Sequence, residues 1–454
     1  MNRELVIRNK TTNNTIKKFN EEDANMVSHN NVDNFENIIG YEAIKDEMRK
    51  LVDVLKNPDK YRKLGVSMPH GLLLHGEPGL GKTMSAECFM EEMKEAGWQT
   101  RTIRREETSE EYIQKVKEIF EEAGTAGHYI ILLDDIDKAS EGDLNQVTPS
   151  EYSVIQSFID AVKEKSVLVI AAANSLRTLP DSLLRAGRFD KQIYFDMPAF
   201  EDRKKIIKYY LRDKKIEPGV FEDAAAMLSY RSSAEINTVL NEAAILAGYH
   251  GRESISLEDL KIAVMEVIYT WDQDKSAGND DRALREYVAY HEAGHVLARE
   301  CYFPQSVRLV SILPCGHERG MTVSETNEDD ELWNSSIEGA LVSRLAGRAA
   351  INLIYGAQKN TGDADDLQYA YENLSRLISQ SASKGFAYYE PGGSKTPENV
   401  AIVARSEMEN YYNLAVELLI KNSDQLDALA EALVEKGTLA PSEIRGIMEQ
   451  NTTD

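Results

Sequence analysis

Cysteine is scarce in this chain. Cys88, Cys301 and Cys315 are the only three, and none forms a C-x-x-C pair. So low and odd a count argues against a disulfide framework and points to a reduced, intracellular, cytoplasmic setting. Long apolar runs are missing as well. No stretch reaches about 18 apolar residues, so no segment is expected to span a membrane. Met1 to Asn34 has no apolar core of signal-peptide length. Positive charge is also short: 52 Lys and Arg stand against 76 Asp and Glu, a formal net charge of -24 with no long basic run. That balance argues against a nucleic-acid binder working through phosphates, and against an anionic membrane surface. No internal repeat is visible.

The 454 residues are 42% hydrophobic, enough for roughly two to four domains with sizeable cores. Residues 1–34 read as a polar, asparagine-rich arm. Residues 35–199 alternate short apolar runs with amphipathic helices. Gly71–His75, Tyr129–Leu133 and Val167–Ala171 are expected as buried strands, with helices over 111–123 and 150–163. Such alternation predicts an α/β domain with a parallel sheet between helices. Residues 200–270 read as a small all-helical domain, 271–283 as a polar linker, and 284–454 as a mainly helical domain. In this last region the sequence predicts one strand pair, around 307–313 and 320–324.

Two motifs carry chemistry. Gly76-Glu77-Pro78-Gly79-Leu80-Gly81-Lys82-Thr83 follows the first strand and opens a helix, the context a P-loop requires. Its glycines let backbone N–H groups wrap phosphates, Lys82 reaches the terminal phosphates of ATP, and the Thr83 hydroxyl binds Mg2+. Asp134 and Asp135 end the second strand, where one carboxylate suits magnesium and the other the attacking water. Asn174 ends the third and is placed to orient that water. Arg185 and Arg188 follow; two arginines three apart suit surface salt bridges, or in a P-loop ATPase they reach a neighbouring subunit's γ-phosphate, which requires a ring.

The second motif is His291-Glu292-Ala293-Gly294-His295, H-E-x-x-H, within an apolar helical periodicity over 285–301. Positions i and i+4 share a helix face, so both imidazoles can address one Zn2+ ion. Zinc takes such nitrogens at about 2.0–2.1 Å, needs a third protein ligand and keeps one position open for water. Glu292 is placed as the general base.

In this order and spacing the motifs resemble the FtsH-type ATP-dependent zinc metalloproteases, an AAA+ ATPase fused to a peptidase, over nearly the whole chain. The resemblance implies a homo-oligomeric, hexameric ring acting on polypeptide substrates. It implies a third metal ligand at Asp366 in the run Thr361-Gly362-Asp363-Ala364-Asp365-Asp366. Asp363 and Asp365 are local rivals, and Asp363 suits capping of the following helix. It also implies that Gly320–Val323 is a substrate-binding edge strand, and that 410–449 supplies C-terminal helices closing the peptidase ring.

Four departures stand out. The family's N-terminal membrane helices have no counterpart, which reads as a soluble relative. The strand end reads Asp134-Asp135 where Asp-Glu is usual. The pore segment, Thr102 to Glu110, lacks the family's aromatic-glycine pair, leaving Tyr112 as the nearest aromatic. Ile351 and Asn352 stand where the family usually has an acidic pair near the zinc, which implies either weaker zinc binding or another group orienting a ligand histidine. These departures keep two other readings open. One is a nucleotide-assembled peptidase with little motor activity; the other is a chaperone or scaffold with a vestigial zinc site.

Overall fold

The computed structural model describes residues 33–104, 108–138, 149–185, 187–271, 281–315, 319–325, 334–356, 364–389 and 398–450. The expected arm, 1–34, lies almost wholly outside these residues, as does most of the expected linker, 271–283. The chain divides into two compact units, one ending at Asp196 and one beginning at Met197.

The first unit opens with helix α1 (Glu42–Lys56) and is built on a five-stranded parallel sheet. Its elements run β1 (Gly71–Gly76), α2 (Lys82–Glu95), β2 (Gln99–Ile103), α3 (Ser109–Ala126), β3 (Tyr129–Leu133), α4 (Pro149–Ala161), β4 (Val167–Ala173) and β5 (Lys191–Phe195). The spatial order is β2-β3-β4-β1-β5. The three expected strands are the three central ones. Every residue of β3 and β4 is buried, which is why they read as unbroken apolar runs. The edge strands β2 and β5 were not expected. Their sequences, QTRTI and KQIYF, mix exposed polar with buried apolar positions, because an edge strand is only half covered.

Tyr112 is helical, as the periodicity of its segment implies, and is not available as a substitute for the missing aromatic. It lies on α3 with 1% of its surface exposed, in the same core as Ile103, Val116, Phe120 and Leu133. A ring so enclosed cannot grip a passing chain. The expected pore segment is taken up at both ends: Thr102 and Ile103 belong to β2, and Thr108 caps α3, its backbone N–H donating to Glu111 Oε2 at 3.2 Å. Residues 105–107 lie outside the described residues.

The second unit begins with α5 (Phe200–Tyr210), α6 (Val220–Met227), α7 (Ser233–Tyr249) and α8 (Leu257–Val267). Ser232 and Ser256 close capping boxes with Glu235 and Asp259, the serine-to-acid spacing that starts a helix. Then come α9 (Arg282–Tyr302), β6 (Val307–Ser311), β7 (Met321–Ser324), α10 (Asn334–Tyr355), α11 (Ala364–Gln380), α12 (Glu398–Lys421), α13 (Ser423–Lys436), β8 (Thr438–Leu439) and α14 (Pro441–Gln450). The antiparallel sheet has the order β7-β6-β8. Helices α9 and α10 share a core rich in small residues, among them Ala293, Ala346, Ala349 and Ala350. These let the two backbones approach closely.

Candidate active sites

The P-loop joins β1 to α2. Gly79 and Gly81 take left-handed φ of 79° and 89°, which glycine adopts without a Cβ penalty. Lys82 is buried, and its Nζ donates to Gly76 O at 2.7 Å, Glu77 O at 2.8 Å and Asn174 Oδ1 at 2.9 Å. Burial lowers its pKa, against the opposing pull of Asp137, Asp135, Glu77 and Asp134. Thr83 Oγ1 donates to Asp134 Oδ1 at 2.8 Å. The loop, the end of β3 and the end of β4 thus converge at one point, and the hydroxyl and carboxylate there fit Mg2+ chemistry. Asp135 has φ 52° and pairs with Lys138 at 2.6 Å.

Two further residues of this site were not singled out from the sequence. Asp137 Oδ2 accepts from the backbone N–H of Asn174 at 2.8 Å and of Ser175 at 3.1 Å, fixing the β4 end that carries Asn174. Arg104 Nε lies 3.6 Å from Asp134 Oδ2. A third acid in a polar turn looks like ordinary solvated charge, so only the fold reveals the role of Asp137. We expect Asp137→Ala to lower the ATP hydrolysis rate about tenfold through misplacement of Asn174, with nucleotide affinity changed less than about threefold. Steady-state hydrolysis and equilibrium nucleotide binding measure the two.

Arg185 is exposed. Arg188 grips Asp160 through Nε at 3.2 Å and Nη2 at 2.8 Å, and donates from Nη1 to Ser182 O at 2.6 Å. Arg188 and Lys163 bring the Asp160 carboxyl down to about 2. An Arg188 that reaches a neighbour's phosphate must first leave this fork.

The metal site lies on α9, α10 and α11. His291 Nε2 and His295 Nε2 are 3.1 Å apart, and Asp366 Oδ2 lies 3.4 Å from the first and 3.2 Å from the second. Tetrahedral donors at zinc bond lengths stand about 3.3 Å apart, so the three atoms fit that ion before it binds. Among the described residues this is the one cluster of such side chains with converging ligand atoms. His295 Nδ1 lies 2.7 Å from Ser343 O. Donation there fixes the tautomer and leaves Nε2 to the metal. Ile351 is buried, and Asn352 donates to Tyr412 Oη at 2.7 Å.

Asp366 sits in the first turn of α11, with Arg344 Nη1 3.0 Å from Oδ1. Burial works against its charge, yet the two imidazoles hold its carboxyl well below the usual range. Of its rivals, Asp365 is exposed and outside the cluster, and Asp363 lies outside the described residues. Gly347 faces the imidazoles: a Cβ there would meet His295 Nε2 at 2.4 Å and His291 Cε1 at 2.7 Å. Gly294, inside the motif, has the same function in helix packing, since its Cβ would meet Ala346 O at 2.5 Å.

Glu292 is 5% exposed. Burial raises its pKa against the pull of His295 and His291. Thr322 Oγ1 donates to its Oε2 at 2.7 Å, so β7 borders this carboxylate directly. Strand β7 is the outer strand of its sheet, paired on one side to β6.

A P-loop site and an H-E-x-x-H metal site on one chain define an AAA+ ATPase joined to a zinc peptidase. Residues 72–197 match the model of the ATPase family associated with various cellular activities, and residues 280–447 that of peptidase family M41. The chain is 30% identical over 438 residues to ATP-dependent zinc metalloprotease FtsH 2 of Sphaerobacter thermophilus, covering 91% of this chain and 66% of that one. It is 30% identical over 435 residues to FtsH 1 of Alkaliphilus metalliredigens, covering 91% and 73%. It is 30% identical over 437 residues to FtsH of Ureaplasma parvum, covering 90% and 60%. The chain belongs to the FtsH family of ATP-dependent zinc metalloproteases. It spans 60% to 73% of the length of these relatives. No helix of the described residues is long and apolar enough to cross a membrane.

Proposed function

We propose that this chain is an ATP-dependent zinc endopeptidase that degrades polypeptides inside a homo-oligomeric, hexameric ring. Its parts are an ATPase domain over 35–199, a helical lid over 200–270 and a peptidase domain over 284–454. Cys88, Cys301 and Cys315 form no disulfide, which supports a reducing, cytoplasmic location. The observation that carries the reading is the convergence of His291, His295 and Asp366 beside the buried Glu292.

His291, His295 and Asp366 would hold Zn2+, with Ser343 O and Arg344 fixing two of the three ligands. Bound zinc supplies Lewis acidity, polarising the scissile carbonyl and acidifying the attacking water. Glu292 takes the proton from that water and returns it to the leaving amine. Thr322 donates to Oε2 of this carboxylate and holds it in place. The outer edge of β7 aligns an extended substrate by backbone pairing. At the other site Lys82, Thr83 and Asp134 hold MgATP, Asp135 and Asn174 orient the hydrolytic water, and Arg185 and Arg188 act on a neighbour's nucleotide.

The test is metal titration. Chelator-stripped protein should lose hydrolysis of an internally quenched peptide, and activity should return in proportion to added zinc up to one ion per chain. Activity that survives stripping would refute the reading.

A further inference from the structure

A charge cluster at the end of β7 takes no part in the sites described so far. Glu325 follows β7 directly, and its backbone N–H donates to Ser306 O at 2.9 Å. Three groups converge on its Oε2. Arg308 reaches it with Nε at 2.9 Å and Nη2 at 2.8 Å. Ser229 Oγ lies 2.7 Å from it and 2.7 Å from Ala226 O, and its one proton is shared between the two acceptors. Arg203 Nη2 lies 3.5 Å away. Arg308 sits where the β6–β7 register shifts, between Val307 and Leu309, so it ties the irregular end of the pairing to the residue that follows the strand.

Arg203 and Ser229 belong to the helical segment 200–270, not to the segment that carries the metal ligands. Arg203, on α5, is 2% exposed. Its Nε donates to Ala225 O at 2.7 Å and its Nη1 to Pro198 O at 3.3 Å. Pro198 lies in the strap between the end of β5 and α5. One guanidinium therefore touches the strap, α6 and the residue that follows β7. Two arginines share one carboxylate, so its loss would leave like charges facing each other in a poorly solvated place.

We propose that Glu325 is a positioning residue: clamped by Arg203 and Ser229 of the helical segment and by Arg308, it sets the place of β7, and through Thr322 that of Glu292. The kinetic part rests on the peptidase reading above. By this geometry, displacement of α5 or its strap reaches the substrate-binding edge through Arg203 and Glu325. This differs from a merely structural contact because it couples the mobility of β7 to turnover.

The experiment measures hydrogen exchange of the β7 amides, zinc content and peptide kinetics in the full chain. Glu325→Gln should raise β7 exchange and lower kcat/KM, each about tenfold, the size of one lost charge-assisted hydrogen bond, with zinc content unchanged. Glu325→Asp should recover part of both. Ser229→Ala keeps both cations paired and is the variant safest for folding; it should shift both in the same direction by about twofold to threefold. Unchanged β7 exchange in Glu325→Gln and Ser229→Ala would overturn the proposal, as would raised exchange with unaltered kinetics. If the unmodified zinc-loaded chain cleaves no peptide, the peptidase reading is what fails. Exchange of β7 in Ser229→Ala then decides the clamp: a rise supports it and no change overturns it.

Discussion

Glu292→Gln is expected to abolish peptide hydrolysis, by at least about a thousandfold in kcat, while zinc content stays at the unmodified level. Glutamine keeps the volume of the side chain and an acceptor for Thr322, whose Oγ1 donates to Glu292 Oε2 at 2.7 Å. It cannot accept a proton. General acid–base catalysis contributes typically about 10² to 10⁴ in rate, and one carboxylate here has both directions of transfer to perform. The proposed metal ligands are His291, His295 and Asp366, none of which the substitution touches, so the ion should remain. Thr322→Val separates positioning from chemistry. It removes the hydrogen bond but not the base, and should cost far less than Glu292→Gln. Zinc content by atomic absorption and turnover of a quenched peptide read the two effects. A Glu292→Gln protein with substantial zinc-dependent turnover would remove the residue from the mechanism.

Gly347→Ala is expected to destroy the metal site although Gly347 holds no metal. Its Cβ would fall 2.4 Å from His295 Nε2 and 2.7 Å from His291 Cε1. Those atoms are ring nitrogen and ring carbon, and His295 is pinned on its other side by Ser343 O at 2.7 Å. The ring has nowhere to retreat without breaking that hydrogen bond. Zinc affinity should fall by more than about a hundredfold, beyond the 10–100-fold usual for loss of an outer-shell partner, and activity should follow. Competition with a chromogenic chelator measures the affinity. A Gly347→Ala protein that binds zinc normally would mean the helices α9 and α10 stand further apart than described.

Much of this was legible in the sequence, for physical reasons. Strands β1, β3 and β4 are covered on both faces, so their composition is nearly all apolar. The P-loop and H-E-x-x-H are local: strand-loop-helix in one case, one turn of helix in the other, so residue spacing alone carries geometry. Less was legible where function depends on contact between distant segments. Strands β2 and β5 hide because edge strands alternate. Asp366 is 71 residues beyond His295 in the chain, and its choice over Asp363 and Asp365 came from family resemblance, not spacing. Asp137, Ser343 and Gly347 carry no local signal. One is an acid in an acidic turn, one contributes only a backbone carbonyl, and one matters for the side chain it lacks. The charged Thr102–Glu110 segment could be read as a departure, but the burial of Tyr112 required the fold.

The central claim is that ATP hydrolysis and zinc peptide hydrolysis are coupled in this chain. It is tested most directly by degradation of a loosely folded protein by the zinc-loaded chain with ATP, with a non-hydrolysable analogue and without nucleotide, Glu292→Gln serving as the blank. The account predicts degradation with ATP alone, which would establish that Asp135 and the short segment before α3 support a working motor. Equal degradation with the analogue would contradict it and leave nucleotide the task of assembly.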